Sequence, residues 1–411
     1  MDSQRSVVAL LASLLTNSMA TATLDTVLGI QVFAISGRPL DLGLLGLAAF
    51  APSLLFVLAT GSVADRFDRR WVAAWAHVVQ AACAAVLFVF LATEPTTVVP
   101  IFVVAFVFGT ARAFSDPAQR ALPADSVSSP RVPWVVARAS VTWQIALIVG
   151  PVLGGFLYAA NRRLPYVAVF VLFLASSACL LLVHSATQRR LDVRPQEGAV
   201  PRTHLAEAAE GFRFIRSQPI VLGAISLDLF AVLFGGAVAL LPALADERLG
   251  VGAVGIGWLR AAGGIGAAVV TLWLAVRPLG RNVGRRLLVA VATFGVATIV
   301  LGVTRNYAVA FVALLVLAGA DAISVFIRAT LVPLVTPPSK RGRVLAVESV
   351  FIGASNELGA FESGVAGQIL GPGGAVVLGG AATLAVALTW ARAFPALRRI
   401  DRFPTPHDDP A

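Results

Sequence analysis

The sequence predicts an all-α integral membrane fold of twelve transmembrane helices in two pseudo-symmetric six-helix halves, and three observations predict it. Of its 411 residues, 58% are hydrophobic and only 13% charged, whereas a soluble domain is nearer one half apolar and about one quarter charged. The apolar residues come in runs of roughly 20, enough for a helix to cross a hydrocarbon core of about 30 Å and about twice a barrel strand. The chain also repeats itself weakly at an offset of about 210 residues. Gly109 to Pro123 matches Gly319 to Pro333, Arg131 matches Arg341, Gly154 matches Gly364, and Gly43 and Gly46 pair with Gly252 and Gly255. Repeats of this kind, related by an axis along the membrane normal, build a central site that opens to either side in turn.

Taken in order, the helices are predicted over Val7–Phe33, Leu42–Ala64, Trp71–Thr93, Val98–Ala118, Val132–Tyr158, Leu164–His184, Ile220–Ala243, Val251–Val276, Leu287–Val303, Tyr307–Ile327, Val344–Leu370 and Gly373–Phe394. The expected halves are 1–184 and 219–396, joined by a cytoplasmic linker over 185–218 and followed by a tail over 397–411. The first helix serves as its own targeting signal, since its apolar run is too long for a cleavable leader and more membrane follows. Cys83 and Cys179 fall inside predicted spans, where they read as small apolar residues rather than a disulfide pair.

Charge follows this topology. The formal net charge is +10, which by itself would admit a nucleic-acid partner. With the N-terminus inside, however, 23 Lys/Arg fall in inner loops and tails. Only Arg38, Arg162, Arg163, Arg248 and Arg305 fall outside, and Arg112, Arg138, Arg260 and Arg328 lie within or at the ends of helices. The positive-inside rule then puts both termini in the cytoplasm and leaves no nucleic-acid face to explain.

The densest charge lies in the turn after the second helix, Gly61-Ser-Val-Ala-Asp65-Arg66-Phe-Asp68-Arg69-Arg70. A hairpin of apolar helices cannot leave such a loop in lipid, so it sits at the cytoplasmic interface. Its pattern, Gly-x-x-x-Asp-Arg-x-x-Arg-Arg, resembles the signature loop of the major facilitator superfamily of secondary transporters, with Asp68 where the signature usually has Gly. The resemblance implies a major facilitator fold. It also implies a gating role for Gly61, Asp65, Arg66, Arg69 and Arg70, with Asp65 helping to lock the inner face. Without it, the loop is a topology-setting turn.

Between the halves, the segment from His204 to Arg216 carries Leu205, Ala208, Phe212 and Ile215 at helical spacing with charges opposite. This predicts an interfacial helix on the inner leaflet, or else an ordinary linker helix.

Ionisable residues inside spans are costly and point first to substrate, ion or gating roles. Asp25 shares a polar stripe with Asn17, Ser18 and Thr21 in the first helix. Arg112 is in the fourth, Asp228 in the seventh, Arg260 in the eighth and Asp321 in the tenth; Glu348, Asn356, Glu357 and Glu362 are in the eleventh. At about 100° per residue, Glu348, Ser355 and Glu362 share a face while Glu357 points away. Burial favours a protonated carboxyl and a nearby Arg an ionised one, the competition a proton-coupled carrier needs. Asp25, Asp228 and Glu357 are therefore the proton or cation candidates; the structural alternative is a permanently paired or interfacial carboxylate. Arg138 and Glu348 are equivalent at the repeat offset and could form an inner gate pair, unless each simply serves its own helix end.

The fifth helix holds Gly150-Pro151-Val-Leu-Gly154-Gly155. Small residues at this spacing allow close helix approach, and Pro loosens the backbone, so packing explains the run. The run is also similar to the Gly-Pro-x-x-Gly-Gly motif of exporter branches of the superfamily, with Ala146 where a further Gly is usual. Ser226-Leu-Asp228 through Pro242, Trp258-Leu-Arg260-Ala-Ala, and Phe351 through Asn356-Glu357, Glu362 and Gly364 resemble the bacterial enterobactin-exporter-like branch, which includes macrolide-efflux relatives. That likeness implies export of a siderophore- or drug-like molecule across a bacterial inner membrane, in exchange for protons.

The expected protein is thus a transporter and not an enzyme, monomeric, contacting a small-molecule substrate and membrane lipid. It is expected to need no cofactor and no metal, the proton gradient supplying the energy. The rivals are a proton-solute symporter on the same fold, a transport-inactive sensor, and a membrane enzyme, for which the scattered His77, His184, His204 and His407 supply no convergent site.

Overall fold

The structure is a computed structural model that describes residues 4–56, 60, 63, 66–127, 129–183 and 204–404. Gly61 and Asp65 of the signature loop, most of the linker including His184, and His407 in the tail lie outside the described residues.

The described chain is all-helical. In order, the spans are α1 (Gln4–Ser36), α2 (Pro39–Leu55), α3 (Arg69–Phe90), α4 (Val99–Asp125), α5 (Val132–Ala160) and α6 (Leu164–Leu181). After the linker helix (His204–Ser217) come α7 (Pro219–Phe234, continued by shorter helical turns to Leu249), α8 (Ala253–Val276), α9 (Val283–Val303) and α10 (Tyr307–Val335). A final 56-residue helix, Pro338–Ala393, is broken at Gly371, whose φ of 74° and ψ of 158° are open to glycine almost alone. Pro372 follows, and the break divides the helix into α11 (338–370) and α12 (372–393). Among the described residues, ten helices are long and apolar enough to cross a membrane. Dividing the last at Gly371 and adding the shorter α2 accounts for the twelve predicted.

Local chemistry sets the helix starts. Pro39, Pro100, Pro133, Pro165, Pro219 and Pro338 occupy first turns, where a missing N–H costs nothing. Asp68 caps α3 by accepting from the Arg70 N–H at 3.0 Å, and Asn306 caps α10 by accepting from Ala308 and Val309.

Several helices run past their predicted ends. α4 continues through Pro117 and Pro123 to Asp125, α10 through Pro333 to Val335, and α11 starts at Pro338 rather than Val344. Hydropathy registers only the part in hydrocarbon, whereas backbone hydrogen bonding carries a helix a turn or two into water. α7 departs the other way. At Gly235 it gives way to a 3-10 turn, Gly236–Leu240, and then to short turns around Pro242.

The chain divides into two units, Met1–Val200 with Val251–Ala261, and Pro201–Gly250 with Ala262–Ala411. In the first, α1 packs on α5 and α6, α3 on α4 and α6, and α2 on α4. In the second, α9 packs on α10 and on the long final helix, which also receives α7. The segment read as interfacial or as a linker helix forms a helix that packs one side on α11. Phe214 and Ile215 are buried in the second unit's core, Glu210 pairs with Arg343 at 2.7 Å, and the Phe212 ring meets Phe351 edge-on.

Candidate functional site

The second unit's core contains a buried ion cluster. Asp228 of α7, Arg328 of α10 and Glu348 of α11 are 4%, 4% and 7% accessible. Arg328 Nη2 lies 2.6 Å from Asp228 Oδ1, and Nη1 lies 3.7 Å from Glu348 Oε1. Asp321 sits seven residues before Arg328, two helical turns and therefore the same face of α10. It acts electrostatically on Asp228 and feels Arg328 in turn. Asp228, Asp321 and Ser324 line a narrow cleft that Phe294, Ala290 and Val291 of α9 close.

The balance of this cluster decides what it can do. A guanidinium in a low-dielectric interior is held by paired carboxylates, and removing either partner strands the other. Two carboxylates on one guanidinium leave one negative charge in excess, so the cluster is neutral when it carries one proton. A third carboxylate, Asp321, stands beside it. Among the described residues Arg328 also keeps one buried donor, Nε, without a hydrogen-bond partner. The cluster thus holds more carboxylates than one guanidinium can neutralise.

The first unit gathers charge differently. Asp25 of α1 feels both Arg112 of α4 and Arg260 of α8. Its side chain is accessible, and the two arginines are half-buried. Arg112 also lies 3.7 Å from Asp116 one turn on, and among the described residues Arg260 Nε is buried without a hydrogen-bond partner. Here two guanidiniums face two carboxylates, Asp25 and Asp116, without the carboxylate excess of the second unit.

The structure thus assembles two groups from the predicted residues: Asp228, Asp321 and Glu348 in one unit, and Asp25, Arg112 and Arg260 in the other. Asn356 is exposed and donates to the Ile352 carbonyl of its own helix, Glu362 bonds Ser363, and Glu357 is half-buried on another face.

Sequence reasoning passed over Arg328. Its seven-residue spacing from Asp321 was the signal that could have found it. Arg138 and Glu348, expected from the repeat as an inner gate pair, lie in different units, and each has a partner within its own. Arg138 lies over the Trp134 ring at 3.6 Å, a cation–π contact, and Glu348 belongs to Arg328.

In the signature loop, Arg69 bridges to Asp125 at the end of α4 at 2.8 Å. Arg70 pairs with Asp68 at 2.8 Å and donates to the Val183 carbonyl. Two of the three arginines therefore tie down the loop's own unit, and Arg66 is exposed.

The glycines of α5 divide between two neighbours. A Cβ at Gly150 would sit 2.7 Å from Ala22 Cβ, and one at Gly154 would sit 3.1 Å from Val27 Cγ2, both on α1. A Cβ at Gly155 would lie 2.5 Å from the Ala253 carbonyl oxygen, and one at Gly257 would lie 2.6 Å from that of Pro151. Thr23 donates to the Gly150 carbonyl at 3.0 Å, tying α1 to α5 at this crossing.

His77 is fully buried in a neutral polar chain spanning four helices: Asn17, Gln119, His77, Ser176 and Ser13, with links of 3.2, 2.9, 3.0 and 2.8 Å. It is a packed residue, satisfied at both ring nitrogens.

With this geometry established, the comparisons with known proteins are specific. The sequence profile of the family described as Transmembrane secretion effector matches residues 8–409. An uncharacterised major-facilitator-type transporter of Bacillus subtilis (strain 168), YfiS, is 24% identical over 74% of this chain and 70% of its own length. The multidrug efflux pump Tap of Mycolicibacterium fortuitum is 26% identical over 65% of this chain and 66% of its own. Among solved structures, a D-xylose-proton symporter superposes with a TM-score of 0.73 at 14% identity, over 95% of this chain and 98% of that one.

Proposed function

The chain belongs to the transmembrane secretion effector family of the major facilitator superfamily, and from that premise we propose that it exports a small organic molecule across a bacterial inner membrane in exchange for protons. The observation that carries the reading is the cluster of Asp228, Glu348 and Asp321 around the single guanidinium of Arg328. A fixed structural ion pair needs one carboxylate per arginine; excess carboxylates in a dry interior provide a place for a transported proton. The group of Asp25, Arg112 and Arg260, with Asp116 on Arg112, offers charges of both signs that a polar substrate could engage. The choice of export rests on the multidrug efflux relative; the fold serves either direction.

In this reading, a proton arriving on Asp228 frees Arg328 toward Glu348, and its departure restores the 2.6 Å pair. The cycle needs two arrangements of similar free energy, biased by protonation on one side and by substrate on the other. The test is uptake of catecholate siderophores, macrolides and amphenicols into inverted vesicles energised by a proton gradient, for wild type and Asp228→Asn. Uptake abolished by an uncoupler and by the substitution supports proton-coupled export. Robust uptake indifferent to both would remove the coupling role from this cluster.

A further inference from the structure

The positive-inside bias makes every outer arginine informative, and Arg162 and Arg163 are two of the five and adjacent in sequence. They follow Asn161 at the turn between α5 and α6. With Gln31 at the end of α1 and Glu94 after α3, they line an open cleft of about 680 Å³ in the first unit. Among the described residues, neither guanidinium has an ion-pair partner. The cleft shares no residue with the Asp25 group.

Gln31 marks this cleft as more than a surface hollow. It is 2% accessible, and burying an amide this deeply requires its polar atoms to be used. The Tyr158 hydroxyl donates to Gln31 Oε1 at 3.0 Å, which fixes the orientation of the amide. The other end, the Nε2 group with its two N–H donors, has no protein acceptor among the described residues, and Gln31 lines the cleft. An amide donor fixed by a buried partner and opening onto a space walled by two guanidiniums suits an acceptor anion. The N-terminus of α6 begins just after Arg163 and adds its own positive end.

Glu94 supplies the opposite charge on the same cleft. It adopts a left-handed conformation, φ 49°, uncommon for a residue with a side chain. Its carboxylate would repel a ligand that is purely anionic and would receive an ammonium.

We propose that this cleft binds a zwitterion, its phosphate or carboxylate held by Gln31, Arg162 and Arg163 and its ammonium by Glu94. The ligand is either a phosphoethanolamine lipid headgroup or a soluble zwitterion of the same chemistry. The site stands apart from the export reading, since none of its residues belongs to either charged group.

Two arms separate the sources. In the soluble arm, the full chain in detergent is titrated with O-phosphoethanolamine and with inorganic phosphate, reading the thermal unfolding midpoint. In the lipid arm, native mass spectrometry compares retention of phosphatidylethanolamine with that of phosphatidylglycerol from mixed nanodiscs. Arg162→Gln/Arg163→Gln, in an exposed turn, should fold and bind the responding probe about tenfold or more weakly, as loss of charge-assisted hydrogen bonds predicts. Glu94→Gln should keep binding but lose the preference for the ammonium-bearing probe. Gln31→Met is the second route to the same loss, with size conserved. A response confined to O-phosphoethanolamine assigns a soluble ligand, and one confined to phosphatidylethanolamine assigns the lipid. No response in either arm, or an equal response from the double arginine variant, overturns the site.

Discussion

In the second unit one guanidinium serves two carboxylates at a sealed helix junction, whereas in the first unit one carboxylate stands within reach of two guanidiniums and stays accessible. Both groups place intramembrane charge on helices of the same fold, and among the described residues both leave an arginine Nε unpartnered. They differ in charge balance and in whether water can reach them: the second unit's carboxylates outnumber their guanidinium in a dry interior, whereas the first unit's two arginines are matched by Asp25 and Asp116. An excess of buried carboxylate is neutralised most cheaply by a proton, which needs no space, and a matched, accessible group can exchange a carboxylate for a solute anion, which does. That contrast is what the roles proposed for the two groups rest on.

The largest effect should come from breaking the sealed cluster. Arg328→Met strands two buried carboxylates, and the expected cost is about 3–5 kcal/mol. It is measured as loss of the monodisperse peak and of the thermal midpoint after solubilisation; adding Asp228→Asn should recover part of it. A single variant as stable as wild type would mean that the carboxylates are already neutral without the arginine.

Next comes the close crossing of α5 and α8. Gly155→Leu drives a side chain into the Ala253 carbonyl, and overpacking of this kind costs about 1–3 kcal/mol. Thermal unfolding should show the loss, with Gly155→Ala milder. An unchanged midpoint would mean that the crossing opens freely.

Asp25→Asn sharpens the comparison because it should separate function from stability. An accessible carboxylate facing two arginines contributes little to folding, on the order of 1 kcal/mol or less. Substrate affinity in the vesicle assay should nevertheless shift, because the substitution leaves Asp116 as the one carboxylate identified against Arg112 and Arg260. A fall in stability as large as that of Arg328→Met would erase the distinction between the two groups.

The smallest effect belongs to the linker. Glu210→Gln breaks a partly exposed ion pair with Arg343, and about 0.2–1 kcal/mol is expected. Limited proteolysis near the linker helix is the sensitive readout, and a protease-resistant variant would mean that the helix is held by Phe214 and Ile215 alone.

Much of the architecture was readable because the bilayer imposes one rule on every span: backbone groups must be satisfied internally, so a long apolar run has to be helix. Helix ends were harder. Asp125 and Val335 end their helices beyond prolines that hydropathy reads as stops. The signature loop was found, yet what Arg69 and Arg70 hold, namely Asp125, Asp68 and the Val183 carbonyl, is set by packing of α3 on α4 and α6. Asp228 was singled out for its cost, while its partner was missed because Arg328 lies a hundred residues away in sequence. Equivalence under the repeat gives Arg138 and Glu348 the same depth, whereas the partner each takes within its own unit, the Trp134 ring and Arg328, is set by local packing.

What the sequence by itself determined is the class of the molecule, its spans and its twofold repeat, since these follow from hydropathy, charge bias and backbone hydrogen bonding, all local along the chain. Tertiary structure alone decided the partners: Arg328 on Asp228 and Glu348, Asp25 between two arginines, Gln31 aimed into its cleft. Partner choice depends on the rotation of each helix about its axis and on which neighbour it meets. Those are settled by side-chain packing among residues tens to hundreds apart, where the free energy of burying a charge is met only by a group that the fold delivers.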